Sequence, residues 1–163
     1  MPSNEKWKVE IVGTPLDVNE CVQIVSDDCA GAISSFVGVT RNNFNGKVVS
    51  KLEYECYTSM SLKRLNELCA MAFGKWNDLL KIAIKHRTGT VRVGEPSVII
   101  AVSSAHREAS LNAVKWLIDE LKATVPIWKK EFFEDGEVWK ENSEQRLKPS
   151  KLGQDRGYAK VST

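Results

Sequence analysis

Arg41, His106, Arg107, Lys122, Lys129 and Lys130 are cationic or proton-carrying residues spread over four short segments whose other residues read as strand, tight loop or helix end. His106-Arg107 follow the apolar run Val98 to Ser104, and Lys129-Lys130 follow Pro126-Ile127-Trp128 directly. Charge placed where a chain leaves its core is suited to holding an anion and moving protons around it. Ser104-Ala105-His106-Arg107 reads as the first turn of a helix, whose unpaired N–H groups and positive dipole end already favour an anion. Arginine adds a planar fork that fits phosphate. The bland alternative is a solvated helix start, although cations are unfavourable there without an anion to hold. Lys122 falls in the last turn of the same helix, where a lysine is an ordinary complement to the dipole. Against that, the apolar stretch Val125-Pro126-Ile127-Trp128 is expected to keep the flanking ammonium groups partly dry, so that desolvation and mutual repulsion favour proton release. Glu131 is placed to orient one of them.

Arg41 lies in a loop after Phe36-Val37-Gly38-Val39-Thr40, with glycine and asparagine nearby for close backbone approach, and a surface arginine is the competing reading. His86-Arg87 reads as a strand end at which the histidine satisfies turn carbonyls. The five tryptophans are expected in the core or an interface.

The elements that must position these residues alternate along 163 residues, of which 42% are hydrophobic and 27% charged, enough for one buried core. A net charge of +2 is too balanced for bulk attraction to nucleic acid or membrane, so electrostatic function must be local. The start of the chain has no apolar leader run, and Val98 to Val102 is too short to span a bilayer, so a soluble cytosolic protein is expected. Cys21, Cys29, Cys56 and Cys69 form no C-x-x-C pair and stand far in sequence from His86 and His106, which argues against zinc and for reduced core thiols.

Trp7 to Val12 reads as a strand, and Asp17 with Glu20 as a capping box opening a short helix through Val25. Gly31 to Val39 and Val48 to Tyr57 read as strands joined by a hairpin loop around Asn45-Gly46, longer than a minimal one. Ser59 to Trp76 and Ala105 to Ala123 carry the 3-4 spacing of amphipathic helices, the second ended by Pro126. Leu80 to Lys85, a short Val91 to Val93 segment and Ser97 to Ser104 supply further strands. The expected class is α+β, with two long helices packed on a mainly antiparallel sheet. A single domain over 1–139 is followed by a polar tail, 140–163, expected to be mobile or to dock on a partner.

Phe36-Val37-Gly38-Val39-Thr40-Arg41-Asn42, His86-Arg87-Thr88-Gly89, Ser103-Ser104-Ala105-His106-Arg107 and Leu121 through Glu131 together resemble the large, catalytic subunit of molybdopterin synthase, the MoaE family, in order from about Val9 to Trp139. The resemblance implies a sulfurtransferase of molybdenum-cofactor biosynthesis that converts cyclic pyranopterin monophosphate (precursor Z) into molybdopterin. It implies sulfur delivered as the C-terminal Gly-Gly thiocarboxylate of a small ubiquitin-like partner, a heterotetramer built on a homodimer of large subunits, an α/β hammerhead type of fold, and no metal or cofactor of its own. By motif, Lys122 and Lys129 are the catalytic lysines, Arg41, His106, Arg107, Lys130 and Glu131 bind or orient substrate, and Phe36 lines the pocket. Where bacterial members often carry an arginine after the tryptophan at 139, this chain reads Lys140-Glu141-Asn142. A non-catalytic module docking a flexible tail or a phosphorylated ligand is the competing class, whereas an RNA-binding domain would want stacking rings that the strands lack.

Overall fold

The computed structural model describes residues 6–141 and 159–161. In chain order the elements are β1 (Trp7–Val12), α1 (Val18–Val25), β2 (Ala32–Val39), β3 (Asn43–Phe44), β4 (Lys47–Cys56), α2 (Thr58–Lys75), β5 (Leu79–Arg87), β6 (Gly89–Arg92), β7 (Pro96–Ser104), α3 (Arg107–Thr124), β8 (Ile127–Phe133), β9 (Val138–Glu141) and β10 (Ala159–Val161). They form two sheets where the sequence was read as one. The first has the order β1-β5-β7-β2, and the second β10-β9-β8-β4-β3 with β6 also paired to β4. Every pairing is antiparallel except β1 with β5.

Strand alternation explains why β5 and β7 are so apolar. Ile82, Ile84, Val98, Ile100 and Val102 face α2 and α3, where they meet Leu65, Leu68, Ala113 and Leu117. Ala83, Ile99 and Ala101 turn to the other side and pack on Cys21 and Val25 of α1. The first sheet is thus covered on both faces, so β7 is buried along nearly its whole length. The two long helices share one face, as expected, and the short helix seals the opposite one.

Local chemistry accounts for several departures from the sequence reading. Asp17 caps α1 by accepting from the Asn19 N–H at 2.9 Å. Glu20 does not close the capping box: its carboxylate joins that of Glu10 on the buried Lys85 ammonium. The Asn45-Gly46 pair has positive φ at both residues, 49° and 77°, and turns β3 directly into β4 as a two-residue hairpin, so the irregular part of the loop is confined to Thr40–Asn42. Of the four thiols, only Cys21 and Cys69 are buried, and burial raises both, Cys69 to about 12. Cys29 is exposed and Cys56 half-buried.

β9 continues through Glu141, and residues 159–161 add to its free edge with Val161 opposite Val138. The remainder of the tail expected to be mobile or partner-docking, including Asn142, lies outside the described residues. No helix among the described residues is long and apolar enough to cross a membrane.

Candidate active site

The two sheets meet around one cavity of about 400 Å³. Its charged lining comes from three places. Arg41 enters from the loop after β2, Lys122 from the last turn of α3, and Lys129 with Glu131 from β8. Phe36 on β2 and Ile118, Leu121 and Ile127 form apolar wall. Five of the eight residues singled out from the sequence therefore share one concave surface, although they span positions 36 to 131.

Each is held for a definable reason. The Arg41 loop is anchored at both ends: the Thr40 N–H donates to the Glu95 carbonyl at 3.2 Å and the Gly94 N–H to the Thr40 carbonyl at 2.9 Å, while the Val49 N–H donates to Asn42 at 2.8 Å. Gly38 is needed just before it, because a Cβ there would stand 2.8 Å from Val98 Cγ1 and 3.2 Å from the Phe36 ring. α3 ends at Val125, whose N–H still donates to Leu121, and Pro126 forces the change to the extended β8.

β8 is the element the sequence reading treated only as a connection followed by lysines. Its strand geometry corrects the expected repulsion between Lys129 and Lys130, because successive side chains leave opposite faces. Lys129 points into the cavity, where its Nζ lies 3.0 Å from Glu131 Oε1. Lys130 takes the other face, 3.3 Å from Glu55 Oε1. There the Lys130 ammonium and the Trp128 indole N–H hold the Glu55 carboxyl below the usual carboxylate range. Lys130 does not line the cavity.

His106 and Arg107 lie elsewhere. His106 is the N-cap of α3 and Arg107 its first residue, both exposed. The turn is tied down by the His106 N–H donating to Asp78 Oδ2 at 3.2 Å, the Ala105 N–H to the Asp78 carbonyl at 3.0 Å and the Ser104 hydroxyl to the His106 carbonyl at 2.6 Å. α3 is continuous from Arg107 to Thr124, so the sixteen residues between His106 and Lys122 correspond to about 24 Å at 1.5 Å per residue. Within one chain the two cationic ends stay apart.

The cavity also holds residues that the sequence reading assigned to structure alone or passed over. His86 lines it, is almost fully buried, and has its proton affinity pushed down to about 4 by desolvation. Its Nδ1 lies 2.8 Å from the Arg87 carbonyl, so the expected bond to a turn carbonyl is present. The ring stands edge-on to Tyr54 at 5.1 Å, and the Tyr54 hydroxyl donates to Ser97 Oγ at 3.2 Å. Thr40 and Glu131 are 3% and 5% exposed, yet Thr40 Oγ1 and Glu131 Oε2 have no hydrogen-bond partner among the described residues. No group of His, Cys, Asp or Glu among those residues could hold a metal ion.

This arrangement, an open cationic cavity at the junction of two sheets, can be set beside known proteins. A family model described as MoaE protein matches residues 11–124. A molybdopterin synthase catalytic subunit from Culex quinquefasciatus is 53% identical over 132 residues, covering 79% of this chain and 84% of that protein. The protein of the same name from Arabidopsis thaliana is 50% identical over 158 residues, 96% of this chain and 79% of its own length. The crystal structure of molybdopterin synthase from Staphylococcus aureus aligns with a TM-score of 0.77 at 34% identity, over 81% of this chain and 95% of that one. The matched span contains the positions of Phe36, Arg41, His86, His106, Arg107 and Lys122 and stops short of Lys129, Lys130 and Glu131, and the likeness extends from sequence to fold. On these grounds the chain belongs to the MoaE family.

Proposed function

We propose that this chain is the catalytic subunit of a molybdopterin synthase, which converts cyclic pyranopterin monophosphate into molybdopterin by installing two sulfurs as a dithiolene. The observation that carries this reading is the convergence of Arg41, Lys122 and Lys129 on one cavity, in a chain about half identical to proteins of that name. The sulfur donor is the thiocarboxylated Gly-Gly C-terminus of a small ubiquitin-like subunit. Donor and acceptor are both anions, and two unit charges 4 Å apart repel by about 4 kcal/mol at the effective dielectric of a protein surface. A cavity that brings them together must offset that cost with fixed cations. Lys129, braced by Glu131, is placed to do so, and Arg41 offers a fork for phosphate. Lys122 is exposed at a helix end, where it can stabilise the opening phosphate and shuttle protons as sulfur adds.

No thiol of this chain is required, which suits the burial of Cys21 and Cys69. His106 and Arg107 join the site from a second copy, within a heterotetramer centred on a homodimer. On the opposite face of β8, Lys130 steers the anionic terminus of the small subunit. We place the reaction in the cytosol, carried by a single catalytic domain whose second sheet runs on through Glu141 and takes up residues 159–161.

Replacing Lys122 tests the reading. Its side chain supports no core packing, so Lys122→Ala should change stability by only about 0.5 kcal/mol. Partner binding should persist while sulfur transfer is nearly abolished, and Lys122→Arg should fail to restore it because a guanidinium does not give up its proton. Full turnover by Lys122→Arg would point to a docking module that needs charge alone.

A further inference from the structure

Among the described residues the Arg41 guanidinium makes no hydrogen bond or ion pair, whereas Lys129 is braced by Glu131. The direction in which Arg41 meets the cavity is therefore set by its backbone, and that backbone is held by a turn to which it does not belong. The β2–β7 ladder shifts register between Gly38 and Val39 and stops at the Val39–Pro96 pair, short of Thr40. There the turn Arg92-Val93-Gly94-Glu95, between β6 and β7, takes over. Its Gly94 N–H donates to the Thr40 carbonyl at 2.9 Å, and its Glu95 carbonyl accepts from the Thr40 N–H at 3.2 Å. The Glu95 N–H closes the turn onto the Arg92 carbonyl at 3.0 Å, with Gly94 at φ 84° in the position that favours glycine. A side chain completes the closure: Glu95 Oε2 accepts from the Arg92 N–H at 2.8 Å and from Arg87 Nη1 at 3.0 Å. Arg87 ends β5 with its side chain 12% exposed, and the next N–H, that of Thr88, donates to the Val12 carbonyl at 2.8 Å. One carboxylate oxygen thus ties the turn to the end of the first sheet. The Arg92 N–H and the Arg87 charge hold the Glu95 carboxyl below the usual carboxylate range, so the pair stays ionised near neutral pH.

We infer that Glu95 is a positioning residue for Arg41: through the turn at 92–95 and the paired backbone of Thr40 it fixes the angle at which the arginine fork meets the substrate's phosphate. This role rests on the phosphate contact proposed above for Arg41, and it makes that contact depend on an ion pair, Arg87 with Glu95, neither of whose members lines the cavity. A fork aimed before the substrate arrives loses less freedom on binding, so a loosened loop is paid for in affinity. The other anchor of the loop, from the Val49 N–H to the Asn42 carbonyl, is backbone alone. Glu95 is where a side-chain substitution can release Arg41 without touching the cavity.

The test uses the assembled enzyme with its thiocarboxylated small subunit and a double-mutant cycle between positions 41 and 95. Glu95→Ala should raise KM for the cyclic pterin phosphate about tenfold with kcat nearly unchanged, the signature of weakened binding. Glu95→Gln, whose amide oxygen still accepts from the Arg92 N–H, should recover most of that loss. Arg41→Ala should itself raise KM, and adding Glu95→Ala to it should then raise KM by less than about twofold, because no fork is left to position. An unchanged KM in folded Glu95→Ala enzyme, or increases that multiply in the double variant, overturns the inference, since multiplying effects would make Glu95 a support of the fold in general. Should Glu95→Ala not fold, Glu95→Asp carries the cycle: it keeps the charge but withdraws the oxygen, and a KM rise of at least about threefold that vanishes beside Arg41→Ala is expected. An unchanged KM there overturns the positioning role. A wild-type enzyme that turns over no pterin, or Arg41→Ala enzyme with wild-type KM, would instead overturn the proposed activity or the proposed phosphate contact, and this inference with it.

Discussion

At the scale of single residues, the charged half of the cavity was legible and the neutral half was not. Lys129 and Lys122 stand out as cations flanking an apolar run, Glu131 as the carboxylate beside the lysine pair and Arg41 through its glycine- and asparagine-rich loop, whereas one histidine at a strand end looks the same whether it faces solvent or a cavity. The pairing of Lys129 with Glu131, and its separation from Lys130, followed from a strand that the charged sequence hides. His86 also gives a stability prediction. Its folded-state proton affinity is pushed down to about 4, below the value near 6.5 of an unfolded histidine, so the unfolded chain binds the extra proton. Its contribution is full above about pH 6.5 and is lost as pH falls toward 4. Lowering the pH from about 7 to about 5 should therefore remove about 2 kcal/mol of unfolding free energy. The carboxyls held low, among them Glu10, Glu55 and Glu95, contribute above their unfolded values near 4.5 and lose that contribution only at lower pH. Denaturant titrations at the two pH values check this, and His86→Gln should flatten the difference; an equal slope in the variant would mean that another group carries it.

Among the elements, the long helices were readable because their apolar stripes repeat over many turns, and β7 because it is apolar throughout. β8 was not, since Ile127, Glu131 and Phe133 alternate inward with a carboxylate in the middle, and a buried glutamate breaks the apolar pattern that marks a strand. The division into two sheets was hidden for a different reason: β4 pairs with β8 more than seventy residues away, a contact that local pattern does not encode. The turn before α3 yields the element-scale prediction. Gly31 donates to the Ser104 carbonyl at 3.0 Å, and a Cβ on it would stand 2.2 Å from the Ala105 carbonyl oxygen. Gly31→Ala should destabilise the fold by about 1–3 kcal/mol through overpacking, and should lower activity by displacing the neighbouring His106 and Arg107. Thermal unfolding and turnover measured together decide it. Wild-type values for both would show that the turn is free to move.

For the whole molecule, the unbroken run of α3 is the decisive fact. With about 24 Å between His106 and Lys122, one pterin phosphate cannot touch both ends of one helix, so the role proposed for His106 and Arg107 requires that they come from a second copy across a two-fold axis. Mixing inactive Arg107→Ala with inactive Lys122→Ala protein under subunit exchange should then restore about a quarter of wild-type activity: half of the dimers are mixed, and each mixed dimer has one of its two sites intact. No recovery despite proven exchange would confine the site to one chain. Sulfur transfer to a pterin, as against mere docking of charged ligands, is distinguished by mass spectrometry. The purified chain, the thiocarboxylated small subunit and cyclic pyranopterin monophosphate are mixed, and both products are weighed. Sulfur transfer yields a pterin that has gained two sulfurs, with two small-subunit termini converted from thiocarboxylate to carboxylate for each pterin. A pterin of unchanged mass alongside an intact thiocarboxylate, with both ligands bound, would contradict it.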